Sequence, residues 1–344
     1  MKVIIPCAGK SSRFPNTRPK YLLTMPDGRM MLQHAADKYL DAGHEVTFVI
    51  VKEHSEKYES EYAIRQAYGD AVNIFTLDDF TNGPADTVYE VMKEWEDTAF
   101  AVNDCDSFFD FEIPNNSTFA VYADLHNYPN LSHIYAKSFI LKNDNTVVDI
   151  IEKKISSEYI CIGGYGFASS DQFKRHYHKV KIAAVSEVFI SHVMKSMIDE
   201  DINILAIEGK NYTDCGTYDS YIDHMKKHVT IFCDIDGVIF KNQSRYFKNS
   251  HHQPPTFNQN AIDFIKNKIS NGATVIFTTA RKEDAREATE AGIRLAGIEN
   301  FQVIYGLPHA PRLLINDVHY SNPWPTATAI NAPRNDNDFW KMFS

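Results

Sequence analysis

Two clusters of residues in this 344-residue chain have the types and spacing for phosphoryl chemistry. In the first, the apolar run Val3-Ile4-Ile5 leads into Pro6-Cys7-Ala8-Gly9-Lys10-Ser11-Ser12-Arg13, with Pro19-Lys20 shortly after. The small residues Ala8, Gly9, Ser11 and Ser12, with Lys10 among them, let backbone approach a triphosphate and aim amide N–H groups at its oxygens. Arg13 and Lys20 add fixed positive charge, which in a nucleotidyl transfer would stabilise charge growing on the α-phosphate and the departing pyrophosphate. The second cluster, Asp234-Ile235-Asp236-Gly237, follows the apolar run 229–233. Side-chain direction repeats every second residue along a strand, so both carboxylates leave the strand end on one side. One can attack phosphorus while the other moves protons. Plainer alternatives are a solvated turn at the first cluster and an acidic cap or calcium loop at the second. An EF-hand loop would need further acidic residues and a closing Glu, which are absent. The Walker GxxxxGK[ST] and Rossmann GxGxxG patterns are absent as well.

Other chemistry-bearing segments follow the first loop in order: Thr81-Asn82-Gly83-Pro84-Ala85, Asp104-Cys105-Asp106, Ile151-Glu152-Lys153-Lys154, Gly163-Gly164, Glu187 and Asp214-Cys215-Gly216-Thr217. Asp106 and Asp214, from separate strand ends, suit Mg²⁺, a hard ion that takes few carboxylates together with phosphate oxygens and water. A strand, a Gly-containing loop ending in Arg, a Pro-Lys pair and these later segments together resemble the sugar-1-phosphate nucleotidyltransferase family. Ser11 stands where the family has its second loop glycine. The resemblance implies that Arg13 contacts the triphosphate and that Lys20 assists the leaving group or the substrate phosphate. It places Ala8, Gly9, Lys10, Ser11, Ser12, Asn82, Gly83 and Ala85 around the nucleotide. Glu152, Lys153, Gly164 and Glu187, the last opening a helix, would surround the sugar phosphate. Asp106, with Asp104 as the alternative, and Asp214 would hold the metal.

The DIDG run resembles motif I of the haloacid dehalogenase superfamily. The resemblance implies Asp234 as nucleophile and Asp236 as general acid/base. Thr279, with Thr278 in reserve, would bind the phosphoryl group, and Asp317 would join Asp234 and Asp236 on a second Mg²⁺. The basic position falls to Arg312, with Arg281 as its rival. Only 41 residues separate Asp236 from Thr278, which leaves little or no cap over the site. The stretch 315–335 resembles the tail of phosphatase domains associated with capsule biosynthesis.

The elements that must position these residues alternate strand and helix throughout, an α/β pattern. Strands are expected at 3–8, 45–51, 72–77, 100–103, 119–123, 134–141 and 159–167, and helices at 31–42, 56–68, 85–95, 187–199 and 217–228. A second run follows: strand 229–233, helix 259–269, strand 274–278, helix 283–296, then strands 302–305, 313–315 and 326–330. The expectation is therefore a Rossmann-like nucleotidyltransferase mixed sheet over residues 1–228 and a small doubly wound, dehalogenase-like domain over 229–344.

Composition agrees with two ordinary globular domains. A net charge of −10 argues against general binding to nucleic acid or anionic membrane. The five scattered cysteines form no CxxC pair and read as small core residues. No basic leader with a long apolar stretch opens the sequence, and no run approaches the ~20 residues of a membrane span. The reading is a cytoplasmic bifunctional enzyme with Mg²⁺ in both domains. Its partners are an NTP, a sugar phosphate and a second phosphorylated small molecule, with homo-oligomerisation left open. The first domain would make an NDP-sugar for surface polysaccharide. Alternatives are a cytidylyltransferase acting on phosphocholine or a polyol phosphate, and a non-catalytic nucleotide-sensing module.

Overall fold

The computed structural model describes residues 1–114, 116–184, 186–242, 254–317 and 326–343. Parts of the expected 241–255 connection and of the 315–335 tail lie outside them. The chain divides into two compact units, Met1–Tyr221 and Ile222–Ser344.

The first unit is built on a nine-stranded mixed sheet among the described residues. Its strands are β1 (Lys2–Pro6), β2 (Glu45–Val51), β3 (Asn73–Leu77), β4 (Phe100–Asn103), β6 (Phe119–Asp124), β7 (Ser138–Asn143), β8 (Thr146–Glu152), β9 (Tyr159–Phe167) and β10 (Leu205–Glu208), in the order β3-β2-β1-β4-β9-β6-β10-β8-β7. β1 lies parallel to both β2 and β4, whereas β9 runs antiparallel to β4 and β6. A separate antiparallel ribbon pairs β5 (Ser107–Asp110) with β11 (Lys210–Asp214).

The helices of this unit are α1 (Met31–Asp41), α2 (Lys52–Tyr58), α3 (Ser60–Tyr68), α4 (Pro84–Met92), α5 (Ser170–Ala183) and α6 (Ile190–Ile198). Alternate strand residues point to opposite faces, and both faces are covered. Ile4 and Val102 join one core with Val88 of α4, Phe173 of α5 and Met194 of α6. Val3, Ile5 and Ala101 join another with Leu32, Ala35 and Tyr39 of α1 and Ile64 of α3. Coverage on both sides explains why β1 reads as a continuous apolar run. The stacked pair Phe100 and Phe167, 4.9 Å between ring centroids, takes the edge of Phe173 at 4.9 Å. Each such fully buried side chain stabilises the fold by roughly 1.5–3 kcal/mol.

Several elements differ from the sequence expectation. The expected helix 56–68 is broken at Glu59, whose φ of 53° is left-handed and separates α2 from α3. The expected strand 134–141 begins with a 3-10 turn, Ile134–Ala136, before β7. Strands β5, β8, β10 and β11 and helix α5 were not expected. α5 carries an N-cap signal, since Ser169 accepts a hydrogen bond from the Gln172 N–H at 3.1 Å.

Helix α7 (Tyr218–Lys227) precedes β12 (Thr230–Asp234). In the second unit β12, β13 (Thr274–Thr278) and β14 (Gln302–Ile304) form a parallel sheet, packed with α8 (Gln259–Ser270) and α9 (Arg286–Leu295) around Ile235, Phe240, Ile262, Phe277 and Ile293. The expected helix 283–296 starts as a 3-10 turn, Glu283–Ala285. No strand forms at 313–315 or 326–330. Leu313, Leu314 and Ile315 are exposed and pair with no strand among the described residues. An apolar triplet becomes a strand only when a neighbour takes its hydrogen bonds, and none among the described residues does.

Candidate active site

The first loop leaves the C-terminal end of β1, where the Cys7 N–H donates to the Val49 carbonyl at 2.7 Å. Gly9 has open space around it, and Lys10 reaches over the Phe80 ring. Ser11 adopts a φ of 51°, the left-handed conformation that favours glycine. Its hydroxyl accepts the backbone N–H of Lys20 at 3.2 Å, tying the loop to the 3-10 turn Lys20–Leu22. Ser11 can thus replace a glycine and also fix the lysine that follows. Ala8 is buried, while Ser12 and Arg13 are exposed.

β4 ends at Asn103, and the chain turns through Asp104 and Asp106 into β5. Buried Asn103 accepts from the Tyr39 hydroxyl and donates to the Asp104 carbonyl, both at 2.8 Å, which holds the turn rigid. The ribbon then brings the second aspartate alongside, because Asp214 pairs with Ser107 and the Cys215 N–H donates to the Asp106 carbonyl at 2.9 Å. Gly216 lies between the two carboxylates. A Cβ on it would stand 3.0 Å from Asp106 Oδ2 and 3.1 Å from Asp214 Oδ1. Two buried carboxylates facing one glycine leave a cradle that a side chain would fill, and its oxygen donors fit a hard divalent ion. Among the described residues no three His, Cys, Asp or Glu side chains form a metal cluster, so other oxygens would have to complete such a site.

Each carboxylate has a lysine. Lys20 forms an ion pair with Asp106, and Lys137 Nζ lies 2.9 Å from Asp214 Oδ2. Burial opposes the charge on Lys20, but Asp106 outweighs it and holds the ammonium above its usual range. Burial likewise opposes the charge on Asp106, and Lys20, then Lys137 and Arg13, hold its carboxyl below the usual range. Asp104 behaves differently. Burial and then the neighbouring Asp106 push it up to about 7. Its N–H donates to the Gly163 carbonyl at 2.8 Å, and Gly163 leaves no room for a Cβ beside its carboxylate. Of the two alternatives read from the sequence, Asp106 is the residue paired with the lysine and facing Asp214.

Glu152 accepts from the hydroxyls of Ser138 and Ser191 on one oxygen. Lys153 sits at a φ of 53° with its ammonium 4.0 Å from the Phe189 ring centroid. At Gly83, with φ 143°, a Cβ would meet the Val188 carbonyl at 2.6 Å. The Val188 N–H donates to the Asn82 carbonyl and the Ala85 N–H to the Val188 carbonyl, which clamps the Asn82–Ala85 loop. One expectation needs correction. Glu187 does not open a helix: it is exposed, ahead of α6, with its side chain against Gly83. Gly164 is a packing residue of β9, paired with Asn103, and Phe109 and Val121 fill the space where its side chain would be. Lys137 was missed altogether. It belongs to no motif, and only the fold brings it to Asp214.

In the second unit Asp234 ends β12 in register with Thr278 of β13, whose hydroxyl donates to the Cys233 carbonyl at 3.4 Å. Desolvation and then the charge of Asp236 push the Asp234 carboxyl up, while Arg312 and Arg334 act in the opposite direction. Arg281 is buried and grips Asp236 with two hydrogen bonds, Nε at 2.9 Å and Nη2 at 2.7 Å, and donates through Nη1 to Thr289 at 3.0 Å. The Thr279 hydroxyl accepts the Arg281 N–H at 3.0 Å. Of the two basic candidates, Arg281 therefore binds the aspartate motif directly. Arg312 donates to the carbonyls of Pro308 and Ala310 in its own loop. Asp317 is exposed on a segment that forms no strand, and it joins no metal cluster with Asp234 and Asp236 among the described residues.

Residues 3–113 match the family described as the MobA-like NTP transferase domain. No curated protein matches the chain. Similar solved structures include the nucleoside-diphosphate-sugar pyrophosphorylase from Vibrio cholerae RC9, at 20% identity and a TM-score of 0.55, over 65% of this chain and 99% of that one. The inositol-1-phosphate CTP transferase from T. maritima is similar at 15% identity and 0.51, over 64% and 90%. A UDP-glucose pyrophosphorylase complexed with UDP-glucose is similar at 17% identity and 0.52, over 64% and 96%. At these identities the likeness is one of fold. The α/β mixed-sheet fold is that of nucleotidyltransferases. No helix among the described residues is long and apolar enough to cross a membrane.

Proposed function

We propose that the first unit transfers a nucleotidyl group from an NTP to a sugar 1-phosphate, releasing pyrophosphate. The observation that carries this reading is the convergence of Asp106 and Asp214 on Gly216, with Lys20 and the Arg13 loop beside them. A phosphate oxygen of the acceptor would attack the α-phosphorus, and the bond from α-phosphorus to the bridging oxygen would break. Arg13 and Lys20 would offset the charge gathering on the departing pyrophosphate. A Mg²⁺ ion held by Asp106 and Asp214 would supply further neutralisation of phosphate charge. Glu152, oriented by Ser138 and Ser191, would take a sugar hydroxyl.

The neighbour named as an inositol-1-phosphate CTP transferase supports a second reading of the same site, CTP with a polyol phosphate. Calorimetry with each NTP and Mg²⁺ tests both readings. One NTP is expected to bind, and Lys20→Met is expected to weaken it at least about tenfold, the scale of one lost charge-assisted hydrogen bond. Equal affinity in wild type and variant would count against placing the triphosphate at this loop.

For the second unit we propose Mg²⁺-dependent hydrolysis of a phosphomonoester, with both activities serving activated-sugar supply for a surface polysaccharide. The register of Asp234 with Thr278 supports it, since nucleophile and phosphoryl-binding hydroxyls then leave adjacent strand ends together. Asp234 would attack phosphorus as the ester P–O bond breaks, Asp236 would protonate the leaving alcohol, and water would then cleave the aspartyl phosphate. Arg281 would orient Asp236.

A further inference from the structure

Lys137 engages an oxygen that a metal at the Asp106–Asp214 pair would need. Asp214 is nearly fully buried; its Oδ1 accepts the Gly216 N–H at 3.0 Å, and its Oδ2 faces Lys137 Nζ at 2.9 Å. Lys137 is itself fixed from two sides. Its carbonyl accepts the Lys153 N–H at 3.1 Å, and its ammonium lies 5.9 Å from the ring centroid of Tyr212, two residues before Asp214 on β11. Each carboxylate of the pair thus already faces an ammonium, Asp106 with Lys20 and Asp214 with Lys137. A free divalent cation arriving here meets carboxylates already paired with ammoniums and must displace Lys137 from Asp214. A cation arriving with a triphosphate brings phosphate oxygens to which the released lysines can turn.

We propose that Lys137 is an internal counter-ion of Asp214 that a divalent ion displaces, so that the site takes up the metal–nucleotide complex in preference to the free metal. This rests on the nucleotidyl-transfer reading of the same site. Lys137 is in this sense a positioning residue, acting through Asp214.

The test is titration of MnCl₂ into the full-length protein without nucleotide, followed by calorimetry. Lys137→Met is expected to bind Mn²⁺ about tenfold more tightly than wild type, the equilibrium equivalent of one charge-assisted hydrogen bond no longer in competition. Lys137→Arg, which keeps the charge, is expected to bind Mn²⁺ as wild type does. Mn²⁺ should also raise the Tm of Lys137→Met more than that of wild type, a readout available even where the variant is marginally folded. Asp214→Asn in the Lys137→Met background should erase the gain. Unchanged or weaker Mn²⁺ binding in Lys137→Met, or a gain that survives Asp214→Asn, overturns the proposal. Failure to form pyrophosphate from any NTP would instead sink the nucleotidyl-transfer reading and leave the Mn²⁺ comparison standing, so the two failures are distinguishable.

Discussion

Asp106→Asn is expected to cut pyrophosphate formation by roughly 10³-fold or more, with circular dichroism unchanged. Asp106 supplies one of the two negative charges that face Gly216, and the amide keeps its shape while losing that charge. The substitution also strips Lys20 of its buried partner. An ammonium without a counter-charge would turn toward whatever anion is present, so NTP binding should survive better than turnover. Affinity retained with kcat lost is the signature of a group that acts mainly on the transition state. A folded variant with near-normal turnover would show that Asp106 is not at the reacting phosphate.

Asp234→Asn is expected to reduce phosphomonoester hydrolysis by roughly 10⁴-fold, since an amide oxygen is no nucleophile toward phosphorus. Pyrophosphate formation should be unaffected, because Asp234 belongs to a different compact unit from Asp106 and Asp214. The rest of the motif should hold its shape, with Asp236 still gripped by Arg281 and Arg281 still bonded to Thr289. Release of phosphate from a general phosphomonoester such as p-nitrophenyl phosphate would measure the loss. Hydrolysis that persists in the folded variant would remove Asp234 from the mechanism, and loss of both activities would contradict separate sites.

How much of this was legible in the sequence depended on whether a residue's partner is local. β2, β4, β9 and β13 were expected within the bounds they take, because long apolar runs that end at turns need no distant information. β5 and β11 are short strands stabilised by each other across about a hundred residues, and their alternation is too brief to stand out. α5 hid for another reason: of its buried Phe173, His176 and Tyr177, hydropathy counts only the first as strongly apolar. The capping pair Ser169 and Gln172 was the signal that marked it.

The candidate site divides in the same way. Arg13, Lys20, Asp106 and Asp214 sit in short segments of recognisable chemistry, and the fold brings their charges together. Lys137 carries no motif, and its partner Asp214 lies far along the chain, so only the fold reveals the pair. At Gly164 the fold supplies a packing reason for glycine that the sequence did not show, since Phe109 and Val121 occupy the space of a side chain. The apolar triplet 313–315 shows the limit of pattern reading, since apolar residues alone do not supply the neighbouring strand that Asp317 needed.

The most direct test of nucleotidyl transfer is pyrophosphate release from the purified chain with Mg²⁺, each NTP in turn, and a panel of sugar 1-phosphates and polyol phosphates. At least one pairing is expected to yield pyrophosphate and an equimolar nucleotide-linked product, and Asp106→Asn to yield neither at a comparable rate. A folded wild-type protein that binds NTP yet releases no pyrophosphate with any acceptor of the panel would contradict nucleotidyl transfer.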